Sequence, residues 1–178
     1  MKTTATALTL LLLGTTAVAH AASDSAVITI TGHVLANTCT IASGSKTQTI
    51  TLDGVADRDI KGKGTTAGEK TIEIVLEDCG STASKVKVSA SGSADADDKT
   101  SFANAIEAKS NGSIGVGLYF YQAKGAKKFN PDGSETEIST LKPSENNTLA
   151  YKAAYVATKD TVTAGEFSTV VNMKFEYQ

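Results

Sequence analysis

Cys39, Cys79 and His33 are the residues of this 178-residue sequence best suited to chemistry. A metal centre or a catalytic triad needs more than they supply. Zinc sites draw on three or four Cys, His or carboxylate ligands, and His33 would have to serve alone as the base of any Ser-His-Asp arrangement. His33 falls on the polar side of an alternating segment, which suits an exposed side chain. Gly62-Lys63-Gly64 and Gly68 fit neither dinucleotide- nor nucleotide-phosphate-binding spacing. Asp95-Ala96-Asp97-Asp98 begins like a calcium loop, but Lys99 and Thr100 stand where a ligand and a glycine are needed. Glu135 and Glu137 read as solvated loop charges, and Lys61, Lys63 and Lys70 as a polar loop. The residues point to no enzyme, metal or small-molecule cofactor.

The context for the cysteines comes from the N-terminus. Lys2, the apolar run Ala7–Gly14 and the Ala19-His20-Ala21 cleavage pattern read as a secretory signal peptide over residues 1–21. The run is too short to span a bilayer. In an exported chain an even cysteine pair reads as a Cys39–Cys79 disulfide, against the rival of two free thiols or metal ligands. Removing Lys2 from 17 basic residues leaves 16 against 19 acidic ones, a net charge of −3, which argues against a nucleic-acid partner. Roughly 157 residues remain, enough for one domain and one core.

The elements that must position these residues are strands. Trp is absent and Pro occurs twice, and the Thr-, Ser-, Gly- and Val-rich remainder suits strands and turns. Alternation marks Ala26–Val34, Gln48–Leu52, Thr71–Glu77, Lys85–Ala90, Ile114–Phe120 and Leu149–Ala157. The stretches 57–70, 91–101 and 123–142 read as loops, the last with a turn at Pro131-Asp132-Gly133. Phe102–Ala108 is open between helix and strand. The longest alternation is Gly165–Gln178. Its odd positions carry Gly165, Phe167, Thr169, Val171, Met173, Phe175 and Tyr177, and its even positions are mostly polar. Seven or so short strands with polar turns predict an all-β sandwich.

Four features together resemble the chaperone–usher pilins, in particular the type 1 major fimbrial subunits. Residues 28–39, I-T-I-T-G-H-V-L-A-N-T-C, resemble a pilin N-terminal extension, with Gly32 seven residues before the first cysteine. The second cysteine follows forty residues later. Gly165 stands fourteenth from the end and Tyr177 is a penultimate aromatic. Tyr151–Gly165 is similar to the segment leading into a pilin's last strand.

The resemblance implies an incomplete immunoglobulin-like β-sandwich completed by a donor strand from a neighbouring subunit. Residues 1–21 would be the signal peptide, 22–36 the donor extension and 37–178 the pilin domain. The donor residues would be Ile28, Ile30, Gly32 and Val34. The acceptor and chaperone-binding strand would carry Gly165, Phe167, Val171, Met173, Phe175 and Tyr177. The implied partners are further copies of the chain in a head-to-tail filament, other pilus subunits, a periplasmic chaperone and an outer-membrane usher. The implied role is a structural subunit of a surface fimbria that supports adhesion. A minor adaptor or terminator subunit is the nearer alternative, and a monomeric exported β-sandwich binding module the more distant one.

Overall fold

A computed structural model describes residues 24–32, 34, 38–125 and 127–178. The signal-peptide reading of residues 1–21 and His33 therefore lie outside the described residues. The chain divides into two units, Met1–His33 and Val34–Gln178. In the first, residues 24–32 carry no helix or strand, and Ile28 and Ile30 are exposed. The expected N-terminal strand has no ladder there.

Among the described residues the second unit holds nine strands in two sheets. They are β1 (Thr40–Ile41), β2 (Thr66–Glu77), β3 (Lys85–Ser91), β4 (Phe102–Ala103), β5 (Val116–Tyr121), β6 (Lys128–Phe129), β7 (Asp132–Thr140), β8 (Asn147–Ala157) and β9 (Asn172–Tyr177). One sheet runs β1-β2-β8-β5-β4, with β6 also on β5, and the other runs β7-β3-β9. All ladders are antiparallel. Alternation decides which side chains meet between the sheets. Ile74 and Leu76 of β2, Val86, Val88 and Ala90 of β3, Leu118 and Phe120 of β5, and Leu149, Tyr151 and Ala153 of β8 form one buried cluster. Phe120, Phe129 and Tyr151 pack ring on ring, with centroids 5.7–6.1 Å apart. Central strand β8 also buries Ala154 and Val156 on its other face. Cys39 and Cys79 are disulfide-bonded, tying the start of β1 to the end of β2.

Several expectations need correction. Strand β2 begins at Thr66, inside the stretch expected to be a loop, and Asp57–Ile60 is a 3-10 turn. Residues 123–142 contain β6 and β7; only the turn survives, with Gly133 N–H donating to Asn130 O at a positive φ of 75°. Polar Ser, Glu and Thr hide β7 from a hydrophobic pattern. Glu137 is buried rather than solvated, its carboxylate accepting from Ala123 N–H (2.9 Å) and the Ser139 hydroxyl (3.0 Å). Phe102–Ala108 resolves into the short β4, then coil, with Ala108 opening a 3-10 turn that runs to Ser110. Gln48–Leu52 is not a strand, and the last strand begins at Asn172 rather than Gly165. These last two departures lie on either side of one groove.

Candidate functional site

The groove has a volume of about 960 Å³. Its floor is apolar: Ile72 and Ile74 from β2, Leu118 and Phe120 from β5, and Ala153 from β8. One wall is the chain from Gly165 to Phe175, and the facing wall is the segment around Gln48–Val55.

Side chains, rather than a ladder, hold the Gln48–Val55 wall. Val75 N–H donates to Ser45 Oγ (3.0 Å), Gln48 Nε2 donates to Glu73 O (2.9 Å), and Lys70 Nζ donates to Thr51 O (2.7 Å). The first two bonds meet backbone groups along β2 that a neighbouring strand would otherwise take, and the third ties the Lys70 side chain to the wall's own backbone. The alternating Thr and Ile residues of 48–52 thus lie beside β2 without pairing to it, and Ile50 is left 38% exposed.

The Gly165–Phe175 wall is built differently at its two ends. From Asn172 to Tyr177 it is β9, antiparallel to β3 and unpaired on its other side among the described residues. Met173, Phe175 and Tyr177 pack half-buried against the core. From Gly165 to Ser168 the chain lies against the loop 104–113. Glu166 N–H donates to Asn111 O (2.7 Å), Ser113 N–H to Glu166 O (2.9 Å), and Ala105 N–H to Ser168 O (2.7 Å). The absent side chain of Gly165 permits this approach, because a Cβ there would sit 2.6 Å from Asn111 O and Ser113 N. Phe167 turns inward and meets Tyr155 edge to face, with centroids 5.3 Å apart. Burial, with Asp53 and Glu166 nearby, pushes the Tyr155 hydroxyl above the ordinary tyrosine range.

Gly165, Phe167, Val171, Met173 and Phe175 therefore come together along one wall. Tyr177 does not line the groove; it packs on the core beyond its end, and burial raises its hydroxyl. Ile28, Ile30 and Val34 are 82%, 89% and 99% exposed, and nothing lies within 4 Å of a Cβ built on Gly32. Residues to which the sequence assigned no part in a site carry some of the construction: Ser45, with Gln48 from the expected strand and Lys70 from the expected polar loop, on one wall, and Asn104 behind the other. No spacing marks them, because each acts through one side-chain hydrogen bond set rather than a repeat.

The calcium-like loop is organised by its own chain. Asp95 accepts from Asp97 N–H and Asp98 N–H, and Asp98 accepts from Thr100 and from the Tyr119 hydroxyl (2.7 Å). Among the described residues no three His, Cys, Asp or Glu side chains are grouped to hold a metal. What the groove can do is bind an extended apolar segment.

A family profile described as "Fimbrial protein" matches residues 28–178. The chain belongs to the fimbrial protein family. This fimbrial subunit is 32% identical over 179 residues to the long polar fimbria protein A of Salmonella typhimurium, covering 100% of this chain and 98% of that one. It is 31% identical over 163 residues to the laminin-binding fimbrial subunit ElfA of Escherichia coli O157:H7, covering 88% of each. Among solved structures it resembles the P pilus rod subunit PapA, with a TM-score of 0.64 and 25% identity over 79% of this chain and 99% of that one. A chaperone–usher pilus subunit matches with a TM-score of 0.66 and 23% identity over 87% and 96%. The fold is thus the immunoglobulin-like sandwich of the pilins, and the family is structural, not enzymatic. The fimbrial subunit is exported and built into fimbriae on the cell surface, where it associates with other subunits.

Proposed function

We propose that the groove is a strand acceptor and that residues 28–34 of a second copy are the strand it accepts. The observation that carries this reading is the pairing of two unmatched features within one sequence. The acceptor wall has a free β edge with Phe167, Val171, Met173 and Phe175 beside an apolar floor. The segment Ile28-Thr29-Ile30-Thr31-Gly32 has alternating apolar residues exposed to solvent. An unpaired edge beside apolar surface is a liability until covered. Strand addition supplies backbone hydrogen bonds, while alternate side chains fill the groove. Burying Ile28, Ile30 and Val34 contributes roughly 1.5–3 kcal/mol each, before the cost of ordering the segment. Gly32 marks a position where the backbones approach closely.

Each copy donates at its N-terminus and accepts at its C-terminus, so the association does not close and a filament grows. Residues 22–36 act as the donor extension and 37–178 as the pilin domain. Before assembly a periplasmic chaperone covers the groove through the 165–177 segment, and exchange for the next subunit's extension takes place at the outer-membrane usher. The subunit is a repeating component of the fimbrial shaft.

The test is substitution in the donor. Ile28→Asp or Ile30→Asp places a carboxylate where an apolar side chain must be buried, which costs several kcal/mol. Surface material should then lose the ladder of SDS-resistant multiples that wild type shows without boiling, while the chaperone complex still forms. Normal fibres from both variants would remove the donor assignment.

A further inference from the structure

We infer that Asn104 is the positioning residue that aims the acceptor backbone into the groove, and that incoming strands bond only to its odd-numbered residues. The inference rests on the strand-acceptor reading and assigns the hydrogen-bond register within it.

Along an extended chain, successive N–H and C=O pairs point to opposite edges. At one end of the wall, Gln178 N–H donates to Lys85 O at 2.9 Å. Since Val86 pairs with Tyr177 in the same antiparallel register, Glu176, Lys174 and Asn172 are the residues bonded to β3. Phe175 and Met173 then turn their backbone groups to the free edge. At the other end, Glu166 and Ser168 use both their N–H and C=O on the loop 104–113. The backbone groups of Phe167 and Thr169 make no hydrogen bond among the described residues. The same parity thus holds at both ends, with even residues bonded away from the groove and odd residues facing it. Donor residues opposite odd positions insert their side chains on the inner face. In residues 28–34 these are the even, apolar positions.

At the Gly165 end no strand of the β7-β3-β9 sheet supports the wall among the described residues. Backbone groups of the loop 104–113 and one side-chain amide take that place. Asn104 Oδ1 accepts from Ser168 N–H (3.0 Å) and from Ile106 N–H (3.0 Å). Its Nδ2 donates to Glu166 O (2.9 Å), Ser113 O (3.2 Å) and Ser113 Oγ (3.1 Å). One residue therefore joins both ends of the loop to two alternate residues of the wall. Without it, Ser168 loses the acceptor that keeps its N–H turned away from the groove.

The experiment uses the full mature chain, refolded from denaturant with a labelled peptide carrying residues 24–36. In wild type, amide hydrogen exchange should show Ser168 protected with or without peptide. Thr169, Val171 and Met173 should gain protection only with it. Asn104→Ala should abolish the Ser168 protection and slow peptide capture at least tenfold, whereas Asn146→Ala, at an exposed loop position, should capture normally. Asn104→Asp keeps the Oδ1 acceptor and should retain Ser168 protection, so it decides the matter if the alanine variant does not fold. Wild type that captures no peptide overturns the acceptor reading itself. Capture that is equal in wild type and Asn104→Ala, or new protection falling on Ser168 and Val170, leaves the groove reading standing and overturns this one.

Discussion

Gly165→Ala is the perturbation whose consequence the structure fixes most narrowly. A Cβ at this position would lie 2.6 Å from Asn111 O, 2.6 Å from Ser113 N and 2.7 Å from Gly112 C. All three are backbone atoms, so no side-chain rotation relieves the contact. The loop cannot retreat inward either, since Gly112 is itself packed so closely on Ile106 that a Cβ there would overlap its carbonyl. The wall must therefore move away from the loop. That motion breaks the Glu166–Asn111 and Ser113–Glu166 hydrogen bonds. Each such bond contributes about 0.5–1.5 kcal/mol, and residual overpacking costs about 1–3 kcal/mol. The sum is a loss of roughly 2–6 kcal/mol, or a fall in melting temperature on the order of 10 °C for a domain of this size. Thermal melting followed by circular dichroism reads this directly. Gly44→Ala is the control, because nothing lies within 4 Å of a Cβ there and the residue sits in a helical turn. That change should be neutral or slightly stabilising. If Gly165→Ala melted within a degree or two of Gly44→Ala, the close approach of wall and loop would be refuted.

Other outcomes follow from the same construction. Replacing Cys39 and Cys79 together by Ser opens a 40-residue separation and should cost about 4 kcal/mol in the chain-entropy account, read as a lower denaturation midpoint than the oxidised wild type. Tyr151→Phe should be neutral or stabilising by about 1 kcal/mol, because the buried hydroxyl has no hydrogen-bond partner among the described residues; a clear loss of stability in urea would reveal a partner. For the Asp98 carboxyl, burial acts to raise the pKa, but hydrogen bonds from Tyr119 and Thr100 and the nearby Lys128 charge outweigh it and lower the group. A carboxyl lowered on folding contributes above its unfolded pKa, and that contribution is lost as pH falls through its folded value. The Tyr119 hydroxyl, pushed up to about 12 by burial and by Asp98, stays a donor throughout that range. Asp98→Asn should therefore flatten the decline of stability below about pH 4, and an unchanged acid limb in denaturant titrations would count against this.

The strands that bury one clean face were legible from alternation. Thr71–Glu77, Lys85–Ala90 and Leu149–Ala157 all lie within β2, β3 and β8, each with one of its alternating faces packed on the core. Strand β7 was not, because its pattern is polar on both faces and its one deeply buried charge, Glu137, is satisfied by neighbours distant in sequence or local to the strand. The site shows the reverse error. Gln48–Leu52 and Phe167–Val171 alternate well enough to predict strands, yet neither has a ladder. Periodicity reports which face of a segment is apolar, but not whether a partner strand stands beside it. The odd residues of the final segment were legible as one face, whereas the loop that holds Glu166 and Ser168 was not, since Asn104 is a lone amide between two alanines.

The two edges of the β7-β3-β9 sheet argue for the groove in a further way. Both β7 and β9 pair only with β3 among the described residues, so both present unpaired backbone. Natural sheets blunt such edges with charge, including charged side chains turned inward. Strand β7 follows that rule: Glu137 points into the protein on the edge strand, and Ser, Thr and Glu surround it. A β strand added at β7 would meet a polar edge whose buried carboxylate is already bonded. The wall leading into β9 breaks the rule, carrying Phe167, Val171, Met173 and Phe175 beside a groove floored by Ile72, Ile74 and Leu118. Two edges of one sheet face the same hazard of unwanted pairing, and only one is defended. The undefended edge is the one whose sequence alternates in step with the N-terminal segment of the same chain.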